Sequence, residues 1–197
     1  MPQADDLMAI ALRLFGRDSE VFSRLACKPA LLGDFLTASE ATLFADAGEL
    51  TPGQRFLVAR AVALHGGAGG LDVLFASSRG GDDPDADRND LVALIAANAG
   101  YNTLYKFRGL TAGRFDEFPA RFKLKTFRTT RFDLATVELL SVVVSSLNAC
   151  QPCVAAHTKK AKDRGLTYAA IDEAVQIAAA VSIAVGFLKT TGAAADS

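Results

Sequence analysis

The chain has no tryptophan, two histidines, three cysteines and two methionines. Three cysteines are too few for the disulfide framework of a small secreted domain, so a paired cysteine motif here points to redox or metal chemistry in a reducing compartment. Lys plus Arg (21) barely differ from Asp plus Glu (22). Without the cationic excess that holds a phosphate backbone, nucleic acid is excluded as the main partner, which leaves a small molecule or a protein. The longest apolar run, Ala174 to Leu188, is interrupted only by Gln176 and Ser182. It falls short of the roughly 18 to 20 residues of a membrane span and is expected to be a buried or interface helix that brings copies of the chain together. No charged-then-apolar leader precedes the first elements: Met1 to Phe15 sets Asp5, Asp6 and Arg13 at amphipathic spacing. That pattern predicts a first helix and a cytoplasmic protein.

What is present is enough apolar material for one sizeable core: 197 residues, half of them hydrophobic. Ala, Leu and Val dominate, apolar residues recur at three- and four-residue spacing, and no alternating strand pattern competes. The expectation is one all-α domain over residues 1–197. Helices are predicted at 4–15, 18–26, 30–46, 52–65, 69–78, 88–105, 134–148, 150–164 and 167–188. The Gly-, Asp- and Pro-rich stretch from Arg79 to Asp90 is predicted to be the loop between two halves. Its aspartates do not make a calcium loop: counted from Asp83, Arg88 stands where Gly is required and Leu94 where a bidentate Glu is required, so a helix cap is the better account.

From Lys106 to Phe132, eight cations (Lys106, Arg108, Arg114, Arg121, Lys123, Lys125, Arg128, Arg131) alternate with Phe107, Phe115, Phe118, Phe122, Phe127 and Phe132. We expect an irregular connection whose phenylalanines anchor to the core and whose cations stay in water, with a basic mouth for an anionic substrate or partner as the functional variant. Shifting Val137 to Cys150 back by 83 positions lays it over Gln54 to Gly67 with its apolar register kept. This weak echo suggests two degenerate helical halves, the first without reactive residues: Arg55 would face Glu138, and Gly67, Gly70 and Leu74 would face Cys150, Cys153 and His157.

Chemistry is concentrated at Cys150-Gln151-Pro152-Cys153-Val154-Ala155-Ala156-His157. Pro152 is tolerated only in a first turn, which starts a helix near Ala149 or Cys150 and sets both thiols at its positive end. At about 100 degrees per residue, Cys153 lies about 60 degrees from Cys150 and His157 about 40 degrees beyond Cys153, so the three share a face. A helix N-terminus favours the thiolate, the reactive form, and an imidazole one turn on can take the proton; two cysteines three residues apart can also close a disulfide. Glu138, on the preceding helix among Leu139, Leu140, Val142 and Val143, would be buried at a cost unless it orients His157. Two other accounts of the pair stand at this point. One is a zinc site completed by Cys27, His65 or a carboxylate; the other is a pair of structural buried thiols.

Glu138, eleven residues, Cys150-x-x-Cys153, three residues, then His157 resembles the signature of the AhpD-like alkylhydroperoxidases within the carboxymuconolactone decarboxylase-like superfamily. The run Gly100 to Leu110, the run Gly113 to Asp116, and Glu173-Ala174 are similar as well, so the likeness covers residues 90–190 and leaves 1–80 divergent. The resemblance implies an AhpD-like helical fold, a homotrimer, no cofactor or metal, and reduction of hydroperoxides through a Cys150/Cys153 dithiol–disulfide cycle, with Glu138 and His157 as a proton relay. It makes Cys153 the attacking thiol and Cys150 the resolving one, with a dithiol reductant such as a lipoylated adaptor protein restoring the pair. Pro152 stands where that family commonly has His, and Cys-x-Pro-Cys is similar to the thioredoxin motif, whose first Cys is the nucleophile. Either order of attack therefore stands at this level. So does the alternative of a disulfide oxidoreductase, or a redox-sensing binding module without peroxide turnover.

Overall fold

In the computed structural model, residues 4–78 and 83–191 are described, and all regular structure among them is helical. The elements are α1 (Ala4–Phe15), α2 (Glu20–Leu25), α3 (Pro29–Thr42), α4 (Pro52–His65), α5 (Gly69–Ser78), α6 (Pro84–Leu110), α7 (Leu134–Leu147), α8 (Gln151–Asp163) and α9 (Tyr168–Thr190), with one 3₁₀ turn at Thr126–Arg128. The helix starts are written locally. Thr51 and Gln54 form a reciprocal capping box before Pro52, while Asp83, Asp133 and Thr167 each accept backbone N–H groups of the helix they open.

Asp83 explains one departure from expectation. With its side chain taking the Ala86 N–H and Pro84 in the first turn, α6 begins at Pro84, so Asp85 to Asp90 are helical rather than loop. Arg79 to Asp82 lie outside the described residues. The helix then runs to Leu110, five residues past its expected end.

The first half is organised by phenylalanines. Phe15 packs on Phe22, Phe35, Phe44 and Phe75, and Phe56 bridges Phe44 and Phe75. Each fully buried ring contributes about 2 to 3 kcal/mol of apolar transfer. The second half is organised by α7, in which every residue from Thr136 to Ser145 is buried, so its apolar run is a helix packed on all sides. α9 crosses between the halves against α3, α4 and α7. By length and composition it could cross a membrane, which the apolar run alone could not, but half of its most apolar window is buried inside the protein.

The helix bounds of the two echoed segments correspond at an offset of 82 positions, not 83: Pro52–His65 with Leu134–Leu147, and the start of α5 at Gly69 with that of α8 at Gln151. In the turn after α4, the N–H groups of Gly66, Gly67 and Ala68 donate to Val62, Leu64 and Ala63; after α7, those of Asn148, Ala149 and Cys150 donate to Val144, Ser146 and Ser145. Every pair is related by 82 positions, not 83. Gly67 and Ala149, the residues with φ of 75° and 52°, also correspond at 82. The extra apolar match at 83 came from two alanine- and valine-rich helices whose register a one-residue slip barely disturbs.

Candidate active site

α7 and α8 form an antiparallel pair around the turn at Asn148 and Ala149. Ala149 takes the left-handed conformation, which brings the chain back sharply enough for Cys150 to cap α8 and its N–H to reach Ser145 O at 3.0 Å. Pro152 falls in the first turn of α8, as expected. Cys150 and Cys153 are joined in a disulfide with their Cα atoms 5.3 Å apart.

One helical stripe of α8, Cys153, Ala156, His157, Lys160 and Arg164, lines a cavity of about 1080 Å³. Glu138 reaches the same cavity from α7, and its Oε2 lies 2.7 Å from His157 Nδ1. Both side chains are nearly nine-tenths buried, at 11 and 12 % exposure. Where the carboxylate is ionised it can only accept, so Nδ1 then carries the proton of this hydrogen bond, and Nε2 is the ring nitrogen left to face the cavity chemistry. Phe127 stacks on the imidazole with ring centroids 6.2 Å apart. The second carboxylate oxygen, Oε1, lies 3.9 Å from Arg164 Nε. Asp133, at the cavity edge, is pushed up by burial, but hydrogen bonds from the Thr136 N–H and hydroxyl and the Ala135 N–H outweigh this and hold its carboxyl below the usual value.

The two cysteines are not equivalent. Cys153 faces the cavity with 5 % of its surface exposed, whereas Cys150 is fully enclosed. The structure thus brings all four sequence-selected residues, Glu138, Cys150, Cys153 and His157, to one α7–α8 junction. Cys27 is elsewhere, exposed and free, at the start of α3. His65 is turned to Asn148, its Nε2 2.9 Å from Asn148 Oδ1. Among the described residues, no three His, Cys, Asp or Glu side chains gather as a metal site.

Some cavity residues were not singled out from sequence. Lys160 and Arg164 follow Cys153 at i+7 and i+11, so extending the helical stripe past His157 would have found them. Tyr101 and Tyr105 come from α6, and their approach depends on how α6 lies across α7 and α8. The aromatic–basic segment divides: Phe127 and Phe132 pack against the core as expected, but Phe107, Phe115, Phe118 and Phe122 are 40 to 55 % exposed. Instead of anchoring inward they pack on one another and on Tyr101.

At offset 82, Glu138, Cys150, Cys153 and His157 correspond to Phe56, Ala68, Leu71 and Phe75, all buried. The place of the Glu138–His157 hydrogen bond is taken by an edge-on contact of Phe56 and Phe75, centroids 6.4 Å apart. One helix pair is filled with hydrocarbon where the other opens to a cavity.

Residues 114–195 match the model of the carboxymuconolactone decarboxylase family. Among curated proteins, an alkyl hydroperoxide reductase AhpD of Anaeromyxobacter sp. (strain K) is 33 % identical over 150 residues, 75 % of this chain and 80 % of that protein. A second AhpD, from Anaeromyxobacter sp. (strain Fw109-5), is 33 % identical over 141 residues, 70 % of this chain and 75 % of its own length. Among solved structures, a candidate gamma-carboxymuconolactone decarboxylase subunit from Burkholderia xenovorans LB400 superposes with a TM-score of 0.65 at 14 % identity, covering 98 % of this chain and 97 % of that one. At that identity, the likeness speaks for the fold.

Proposed function

Since the chain belongs to the AhpD-like alkylhydroperoxidases of the carboxymuconolactone decarboxylase-like superfamily, we propose that it reduces organic hydroperoxides by a dithiol–disulfide cycle. Cys153 attacks and Cys150 resolves. The observation that carries this reading is the asymmetry of the pair: Cys153 lines the cavity beside His157, while Cys150 is enclosed.

In the reduced protein, His157 Nε2 accepts the Cys153 thiol proton, and Glu138, bonded to Nδ1, stabilises the resulting imidazolium. The thiolate attacks the peroxide oxygen distal to the alkyl group. An S–O bond forms, the O–O bond breaks, and the imidazolium returns its proton to the leaving alkoxide, so the products are an alcohol and Cys153 sulfenic acid. Cys150 thiol then displaces water from the sulfenic sulfur and closes the disulfide, for which the 5.3 Å Cα separation is already suitable. An external dithiol reopens the pair and leaves as a disulfide, with a lipoylated adaptor as one such donor. A reducing compartment such as the cytoplasm suits this cycle. No metal or cofactor is required in any step.

Among the alternatives, a redox-sensing binding module is marked by the absence of peroxide turnover, whereas a thioredoxin-like disulfide exchanger needs the first cysteine of the motif at the surface. The enclosure of Cys150 argues against the exchanger. Consumption of tert-butyl hydroperoxide with excess dithiol distinguishes the peroxidase from both. The wild type is expected to turn over and Cys153→Ser to be inactive; equal rates in both would remove the proposal.

A further inference from the structure

The cavity beside Cys153 is much larger than a small peroxide needs, and it is built unevenly. One end holds Cys153 and His157. Its walls are aromatic, from Tyr101, Tyr105 and Phe127, and Lys160 and Arg128 also line it, while Arg164, further along the α8 stripe, turns its guanidinium back toward Glu138. The two acidic residues of the cavity are committed elsewhere: Asp133 to the first turn of its own helix, Glu138 to His157. The side chains of Arg128 and Lys160 have no hydrogen-bond or ion-pair partner among the described residues, and Arg164 has only the 3.9 Å approach to Glu138. Arg128 and Lys160, solvent-exposed cations that line an aromatic-walled chamber without partners of their own, are an arrangement for an anion on an apolar body.

From this geometry we infer that the cavity takes amphipathic carboxylates, and that the preferred hydroperoxides are acyl chains with a free carboxylate held by Arg128 and Lys160. The inference rests on the peroxidase reading for the reaction, but not for the binding. A helix rises 1.5 Å per residue, so Lys160 lies roughly 10 Å along α8 from Cys153. The ligand therefore carries its peroxide about that far from its carboxylate, with the intervening chain against the aromatic walls. A short neutral hydroperoxide can reach the thiol but cannot span to the cations.

The test uses unreactive ligands and the whole oxidised chain. Decanoate and its neutral isostere decanamide are titrated calorimetrically at low and at 0.5 M salt. Decanoate is expected to bind about tenfold more tightly at low salt, the value of one well-placed charge pair. Salt should erase that preference, since exposed charges are screened within about 3 Å near 1 M. Arg128→Gln and Lys160→Gln, checked for unchanged helicity, should each bring the ratio toward one. In turnover, a fatty-acid hydroperoxide should exceed its methyl ester in kcat/KM by a similar factor. Equal affinities for decanoate and decanamide, or binding of neither, overturn the inference. Turnover of tert-butyl hydroperoxide reports on the peroxidase reading alone. If it persists while the two ligands bind equally, the reaction stands and the ligand class falls; if it is absent while decanoate is preferred, the ligand class stands without the reaction.

Discussion

Glu138 is buried on a helix whose neighbours are almost all hydrocarbon or hydroxyl. A charge so placed persists only where a donor meets it, and His157 does so at 2.7 Å. With Glu138 ionised, this contact sets the proton on Nδ1 and leaves Nε2 as the acceptor, which is the nitrogen the proposed relay uses. Glu138→Gln keeps the shape but removes the charge that stabilises the imidazolium. It is expected to lower hydroperoxide turnover by about tenfold to a hundredfold and to change its pH profile, while the helical spectrum stays that of the wild type. Unaltered kinetics would remove Glu138 from the relay. The motif and the shared face of Cys150, Cys153 and His157 were legible from sequence, because a first-turn proline and a fixed angular step leave little freedom. Which thiol meets solvent was not legible. That depends on the enclosure of Cys150 beneath the α7–α8 turn, and a linear motif does not record enclosure.

At the scale of elements, the α7–α8 turn decides whether the pair can exist at all. Its counterpart between α4 and α5 uses Gly67 at φ 75°, where the reactive half uses Ala149 at φ 52°. A left-handed alanine costs about 1 kcal/mol relative to glycine at such a position. Ala149→Gly is therefore expected to raise the urea midpoint, by roughly 1 kcal/mol of stability, without loss of the disulfide. A lowered midpoint would mean that the alanine methyl packs in a way the backbone conformation does not convey. Helix positions followed closely from spacing and caps, since α4, α7 and α9 open at residues whose side chains meet their own backbone. The start of α6 was missed because an acidic, glycine-rich run suggests a loop, although Asp83 and Pro84 are also good opening residues. The fate of Phe115, Phe118 and Phe122 was missed because a phenylalanine in an irregular segment carries no periodicity to say which way it faces.

For the molecule as a whole, the helix pairs α4–α5 and α7–α8 share an offset of 82 positions but differ in what their facing side chains are. Where the second pair carries Glu138, Cys150, Cys153 and His157, the first carries Phe56, Ala68, Leu71 and Phe75 and serves as a core. The apolar surface left open is not chiefly on α9, of whose large apolar side chains only Tyr168 and Val175 are exposed. It lies on the end of α6 and the segment after it, with Phe107, Leu110, Phe115 and Phe118 at 40 to 79 % exposure. Phe107, Phe115 and Phe118 pack on one another there, an exposed apolar cluster of the kind that subunit contacts cover. With the trimer that the family resemblance implies, sedimentation at micromolar concentration is expected to show a species of three times the 20.7 kDa chain mass, about 62 kDa. A single 20.7 kDa boundary would contradict that assembly.

The central claim is that Cys153 is the thiol that meets the peroxide. It is tested most directly by mixing reduced Cys150→Ser and Cys153→Ser proteins with one equivalent of hydroperoxide, trapping sulfenic acid with a carbon nucleophile and locating the adduct by peptide mass. An adduct is expected on Cys153 in the Cys150→Ser protein and none at the pair in Cys153→Ser. An adduct on Cys150 with Cys153 replaced, at a comparable rate, would contradict it.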